Sequence, residues 1–244
     1  QIAPVCTGTA FALPTTSNNG VNGSWSPALN FNNTTTYTFT PNTGLCANTA
    51  SMTVVVNPYP TVSATNDTIC DGNTGVIQTQ VSLIGGNYLW LSNSSTQASL
   101  SISPNTTTSY SVIYNLAGCA DTATAQIFVN PVPSIQVQNG TICEGQTATI
   151  TAPSGVYTYT WTVPTGVAAP GNVNTFSTTK AGTYSVTITN SNSCTSDIGV
   201  GTVVVNTLPT KPTVTSPIIC EGQTATITTP SGVYTYTWTV PTGV

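Results

Sequence analysis

Cysteine is the residue type with the most chemistry to offer in this sequence. Seven are present, at positions 6, 46, 70, 119, 143, 194 and 220, and they stand against no histidine and no arginine. Without an imidazole, neither a thiol nor a serine hydroxyl has its usual activating base, so Cys–His and Ser–His catalysis cannot be assembled. A zinc site is not expected either, because no CxxC pair and no histidine are available to complete one. What remains is disulfide formation in an oxidising compartment, with free buried thiols as the alternative. The other candidates are weaker. The acids are Asp67, Asp71, Asp121, Asp197, Glu144 and Glu221, and none sits in the context of a paired-carboxylate glycosidase. Asp67 and Asp71 flank Cys70 in DTICDG and could touch Ca²⁺, which needs several oxygens from one loop. Glu144 and Glu221 follow cysteine in CEGQ and read as solvated turn residues. Tyr157, Tyr159 and Trp161, repeated at Tyr234, Tyr236 and Trp238, could stack a sugar or fill a core. Sequons at Asn33, Asn105 and Asn139 are what chance supplies in a chain so rich in Asn and Thr.

The cysteines belong to a repeat. Residues 142–167 recur at 219–244 with one difference, Ala152 against Thr229. Looser copies lie upstream. Each opens on a cysteine (Cys6, Cys70, Cys143, Cys220), and a tryptophan follows 18–20 residues later (Trp25, Trp90, Trp161, Trp238). A Thr/Ser-rich approach then leads to a tyrosine strand (Tyr37, Tyr110, Tyr184). A second cysteine comes 9–10 residues after that tyrosine (Cys46, Cys119, Cys194), and an apolar strand closes the unit on Asn57, Asn130 or Asn206. A fixed grammar with variable loops is the mark of a repeat array. The boundaries read as 1–57, 58–130, 131–206 and 207–244. The first unit lacks its leading strand and the fourth its second half, so a longer chain is expected, with the partner of Cys220 outside this sequence.

Within a repeat the apolar residues alternate, as half-buried strands require. Tyr157, Tyr159, Trp161 and Val163 share one face, as do Tyr184, Val186 and Ile188. The segments 61–66 and 134–139 read as leading strands. Six or seven short strands around a central tryptophan predict an all-β fold of tandem immunoglobulin-like sandwiches, end to end, with the four tryptophans as core aromatics. The second cysteine follows the tyrosine by more than the two residues usual in antibody domains, which places it near the turn before the last strand. The order of appearance favours pairing inside each repeat: Cys6–Cys46, Cys70–Cys119 and Cys143–Cys194, one disulfide per complete repeat, although order alone does not fix connectivity. Such a bond would staple a small core and shield the segment it spans from tension. The joints NPYP, NPVP and NTLPTKP are short and proline-rich, hence semi-stiff.

Composition narrows the function. Charged residues make up 3% of the chain, against roughly 25% in ordinary globular domains. Two lysines cannot provide a basic footprint for nucleic acid or for an anionic membrane surface. No apolar run approaches the length of a membrane span and no signal peptide opens the sequence; a mature or internal piece of a secreted chain is expected. No cofactor and no enzymatic activity are predicted.

The segments FALPTTSNNGVNGSWSPALN…TTTYTFTPNTGLCA and NGTICEGQTATITA…YTWTVPTG…AGTYSVTITNSNSC resemble the Ig-like or PKD-like repeats of very large surface proteins of gliding Bacteroidota. These include SprB-type gliding-motility adhesins and other type IX secretion cargo. The resemblance covers the whole chain. It implies export by the type IX system, attachment outside the outer membrane, and a stalk or spacer role in an adhesin. The partners it implies are neighbouring repeats, surface glycans and the secretion and gliding machinery. It also implies O-glycosylation at Asp-Thr followed by a small or aliphatic residue, a pattern that Thr68 and Thr122 match. Two other readings stand beside it: a repeat that itself binds glycan through exposed aromatics, and the stalk of a large secreted hydrolase.

Overall fold

The computed structural model describes residues 1–232 and 234–242. Every helix or strand among them is a β-strand, as the abundance of Thr, Val, Ile and Tyr requires. No helix is long and apolar enough to cross a membrane. The chain divides into two compact units, Gln1–Ser134 with Thr189–Ser196, and Ile135–Ile188 with Asp197–Val244.

In the first unit, the first repeat contributes β1 (Val5–Cys6), β2 (Gly23–Ser26), β3 (Thr35–Pro41), β4 (Ala50–Val54) and β5 (Val56–Asn57). Strands β2, β3 and β4 form one antiparallel sheet, and β1 runs parallel to β5. Tyr37, Phe39, Val54 and Val56 are its buried residues, with Phe11 edge-on to both Phe31 and Tyr37.

The second repeat shows the architecture in full. Its strands are β6 (Val62–Ala64), β7 (Asp67–Cys70), β8 (Gly75–Val81), β9 (Asn87–Trp90), β10 (Ser99–Ile102), β11 (Thr108–Leu116) and β12 (Cys119–Asn130). One sheet has the order β10-β8-β6 and the other β7-β12-β11-β9, with β7 parallel to β12 and the remaining pairs antiparallel. This is the two-sheet order of an immunoglobulin-like sandwich. The period of two in β11 turns Tyr110, Val112 and Tyr114 inward. Tyr110 and Val112 close on Ile69, Ile77, Trp90, Leu100, Ala125 and Ile127 from five other strands, and Tyr114 lies against Tyr88 with ring centroids 4.8 Å apart. Trp90 is fully buried, and its indole N–H donates to the Gln97 carbonyl at 2.9 Å, so no donor is stranded in the core.

The second unit carries β13 (Gly140–Cys143), β14 (Ala148–Thr151), β15 (Thr158–Thr162), β16 (Thr175–Thr178), β17 (Gly182–Thr189) and β18 (Gly199–Asn206). Its larger sheet has the order β13-β18-β17-β15, and β14 pairs with β16. Trp161, Tyr159, Tyr184, Val186 and Ile188 are buried together, and the Trp161 indole donates to the Val173 carbonyl at 2.8 Å. The strand expected over 134–139 does not form here. Ile135 and Val137 instead pack directly on the core, seated over Gly199 and Gly201, where an added Cβ would come within 2.5 and 2.6 Å of them.

The tryptophans do not all play the predicted part. Trp25 is half-buried and its indole bonds the Pro14 carbonyl. Trp238 is 50% exposed, a correction to its expected core role. The sheet of β13, β18, β17 and β15 that buries Trp161 has no counterpart around the 219–244 copy among the described residues. Replacing Trp90 by Ala should therefore destabilise the second repeat by about 3–5 kcal/mol. Urea denaturation followed by circular dichroism would check this, and an unchanged unfolding midpoint would contradict the packing described.

Candidate functional site at the disulfide joints

Two features recur at the two poles of the closing strand in the first three repeats, and they come from local sequence. The first is a cysteine platform. Cys6, Cys70 and Cys143 each end a short strand that runs parallel to the closing strand, in register with Asn57, Asn130 and Asn206 respectively. The next residue's amide donates to that asparagine's carbonyl: Thr7 to Asn57 at 2.9 Å, Asp71 to Asn130 at 2.9 Å, Glu144 to Asn206 at 2.8 Å. A glycine with φ of 81–86° (Gly8, Gly72, Gly145) then turns the chain, a left-handed conformation that side chains resist. The glutamate of CEGQ is thus an exposed turn residue.

The second feature is a hairpin that carries the other cysteine. Leu116 faces Cys119 across a loop of Ala117 and Gly118, both at positive φ (52° and 89°), the backbone of a two-residue hairpin turn. Asn115 Oδ1 accepts the Gly118 amide at 3.0 Å. In the equivalent turn, Asn190 Oδ1 accepts the amides of Asn192 and Cys194, both at 3.0 Å. Cys46 likewise stands four residues after an asparagine, Asn42.

These features place the two cysteines of a repeat at opposite poles of its last strand. Cys119 begins β12 and Cys70 sits beside Asn130 at its other end. Eleven residues separate Cys119 from Asn130, about 36 Å at roughly 3.3 Å per residue. A disulfide needs Cα atoms within about 7 Å. Pairing inside a repeat is excluded on this ground, and the structure pairs the cysteines otherwise. Cys6 bonds Cys119 and Cys70 bonds Cys194, with Cα–Cα separations of 5.7 and 5.6 Å. The expected bonds Cys6–Cys46, Cys70–Cys119 and Cys143–Cys194 are all corrected. The expectation of one bond per complete repeat becomes one bond shared by two successive repeats, from the platform of one to the hairpin of the next. Cys46, Cys143 and Cys220 are free and exposed.

All four bonded cysteines lie in the first unit, and a side-chain amide accompanies each bond. Asn57 Nδ2 donates to the Ala117 carbonyl at 2.7 Å beside Cys6–Cys119, and Asn190 Nδ2 to the Pro131 carbonyl at 2.9 Å beside Cys70–Cys194. The bonds span 113 and 124 residues of chain. Closing one loop of that size removes about 5 kcal/mol of chain entropy from the unfolded state, on the model that ascribes the effect to entropy.

Two of the acids have structural roles, whereas in the repeated aromatic row Tyr234 is 55% and Trp238 50% exposed. Asp67 Oδ1 and Oδ2 accept the amides of Thr68 (2.7 Å) and Val76 (2.8 Å), and Asp121 Oδ2 accepts that of Val62 (2.8 Å). Their carboxylates hold strands together. No group of three or more metal-ligating side chains gathers among the described residues. Tyr159 is buried with its hydroxyl donating to the Pro153 carbonyl at 2.8 Å, and Tyr157 stands edge-on to it, so this row offers no open stacking face. Burial, with Tyr157 alongside, raises the Tyr159 hydroxyl pKa above its ordinary value. Thr68 and Thr122 are exposed on β7 and β12.

No protein-family model matches the sequence, and no curated protein matches it. Solved structures similar to it are tandem or single sandwiches. One is the I9–I11 tandem from titin, at 16% identity and TM-score 0.34, covering 72% of this chain and 75% of that one. Another is the extracellular domains 3–5 of Drosophila OTK, at 13% identity and TM-score 0.38, covering 71% of each chain. A third is the PKD domain of human KIAA0319, at 19% identity and TM-score 0.28, covering 31% of this chain and 85% of that one.

The pairing predicts a simple peptide map. Cleavage before each aspartate of the unreduced chain, thiols blocked, should yield 1–66 linked to 71–120, and 67–70 linked to 121–196. Alkylation should mark Cys46, Cys143 and Cys220. Fragment 67–70 linked to 71–120 instead would restore pairing within the repeat.

Proposed function

We propose that this chain is a stalk or spacer segment of a large secreted cell-surface adhesin, built from the repeats 1–57, 58–130, 131–206 and 207–244. The observation that carries the reading is the covalent joint between successive repeats. A protein that only had to bind a small ligand gains nothing from bonding each sandwich to the next, whereas one that projects or pulls does. Disulfides persist in oxidising surroundings, which supports a place outside the cell. The near absence of charge and the exposed Asp-Thr sites at Thr68 and Thr122 support a surface hydrated by O-linked sugar. The repeat motifs support the finer assignment to a gliding-motility adhesin exported by the type IX system and held at the outer membrane, whose partners are its own neighbouring repeats, surface glycans and that machinery.

Two measurements test this. Antibodies raised against the chain should label filaments on intact, unpermeabilised cells that make it, and label that appears only after permeabilisation would contradict the reading. Peptides 67–70 and 121–196 from native protein should carry glycan mass on Thr68 and Thr122, lost on β-elimination. Bare peptides would remove the glycan component.

A further inference from the structure

The staggered bonds create a second route through the molecule. From Cys6 it crosses to Cys119, runs backwards along the second repeat to Cys70, and crosses again to Cys194. The route uses the 49 residue steps between Cys119 and Cys70 and omits the joints NPYP (57–60) and NPVP (130–133). The intervals 6–119 and 70–194 overlap, so every peptide bond between Cys6 and Cys194 lies inside at least one closed loop.

We propose that this stagger gives the chain a further function: it keeps the first three repeats a single tension-bearing molecule after the joints between them are cut. The proposal rests on the bonds and not on the adhesin reading, and either can fail without the other. Tension on this route enters the second repeat at Cys119, the start of β12, and leaves at Cys70, the end of β7. The two strands are parallel and hydrogen-bonded from Ile127–Asp67 to Asn130–Cys70. Force applied at these poles shears the pairing, loading its hydrogen bonds together rather than peeling them in turn. If the repeat then gives way, the 49 residues extend to about 170 Å at roughly 3.4 Å each. The uninterrupted backbone from Cys6 to Cys194 would reach about 640 Å on the same scale. The joints NPYP and NPVP thus become places where cleavage does not divide the molecule, whereas NTLPTKP, beyond Cys194, lies outside both loops. Pairing inside each repeat would have done the opposite, leaving every linker as a single point of failure.

The test uses the full chain with Thr61→Lys and Ser134→Lys, both exposed and each directly after a joint, and with Lys180→Gln and Lys211→Gln. Since the sequence has no arginine, trypsin then has two sites. Free thiols are blocked and digestion proceeds in urea without reductant. The product expected is one species at the mass of the uncut, thiol-blocked variant plus two waters, which reductant separates into 1–61, 62–134 and 135–244. Separation into three pieces before reduction overturns the proposal. In a second arm, the folded variant is tethered by its ends in optical tweezers and trypsin is added. The tether should go on holding force, and one that parts when the linkers are cleaved overturns it equally.

Discussion

The parallel pairing of a two- to four-residue strand with the closing strand of each repeat governs most of what this molecule can do. It sets Cys6 beside Asn57, Cys70 beside Asn130 and Cys143 beside Asn206. The short strand of the second repeat lies on residues 127–130, and in either sense its cysteine would stay roughly 26 Å or more from Cys119. Its place along the closing strand sends the two thiols to opposite ends of that strand, where only a neighbouring repeat can reach either. Connectivity between repeats is therefore a consequence of where the short strand pairs, decided before any sulfur reacts.

A second constraint is the scarcity of charge, which leaves the sheets to be tied by neutral groups. Hydroxyls face each other across strands, Thr36 with Thr53 at 2.7 Å, Ser111 with Thr124 at 2.8 Å and Thr189 with Thr195 at 2.9 Å, the cross-strand pairing that stabilises exposed sheet faces. Tyrosine hydroxyls do the same work inside. Tyr114 accepts from Gly86 and donates to Leu83, and Tyr184 bonds Lys180 and Thr178. Asp67 and Asp121 are used as backbone acceptors.

Periodicity made the strands readable, because one buried and one wet face impose alternation whatever the fold. The tryptophan rhythm was equally plain at Trp90 and Trp161, where the indole fills a sandwich. Trp238 shows the limit: its local sequence matches that around Trp161 almost completely, but burial is a property of partner strands and not of the residue. Residues 134–139 show another, since Ile135 and Val137 found a glycine-lined surface to lie on instead of a ladder. The disulfides were the largest loss. Cysteine order suggested nearest neighbours, whereas the eleven residue steps from Cys119 to Asn130 held the distance that forbids them. That count acquires meaning only once the pairing of β7 with residues 127–130 is known, and pairing is a non-local fact.

The charge-poor surface has one more consequence, this time for the medium around the molecule. Dissolved ions act on a folded protein chiefly by screening its charges, over about 10 Å at 0.1 M and about 3 Å at 1 M. Two lysines and six carboxylates in 244 residues give such screening almost nothing to weaken. Covalent bonds, hydroxyl pairs and apolar cores are left to hold the fold, and none of them depends on attraction between unlike charges. Charge screening should accordingly cost this chain little of its stability between fresh water and brine.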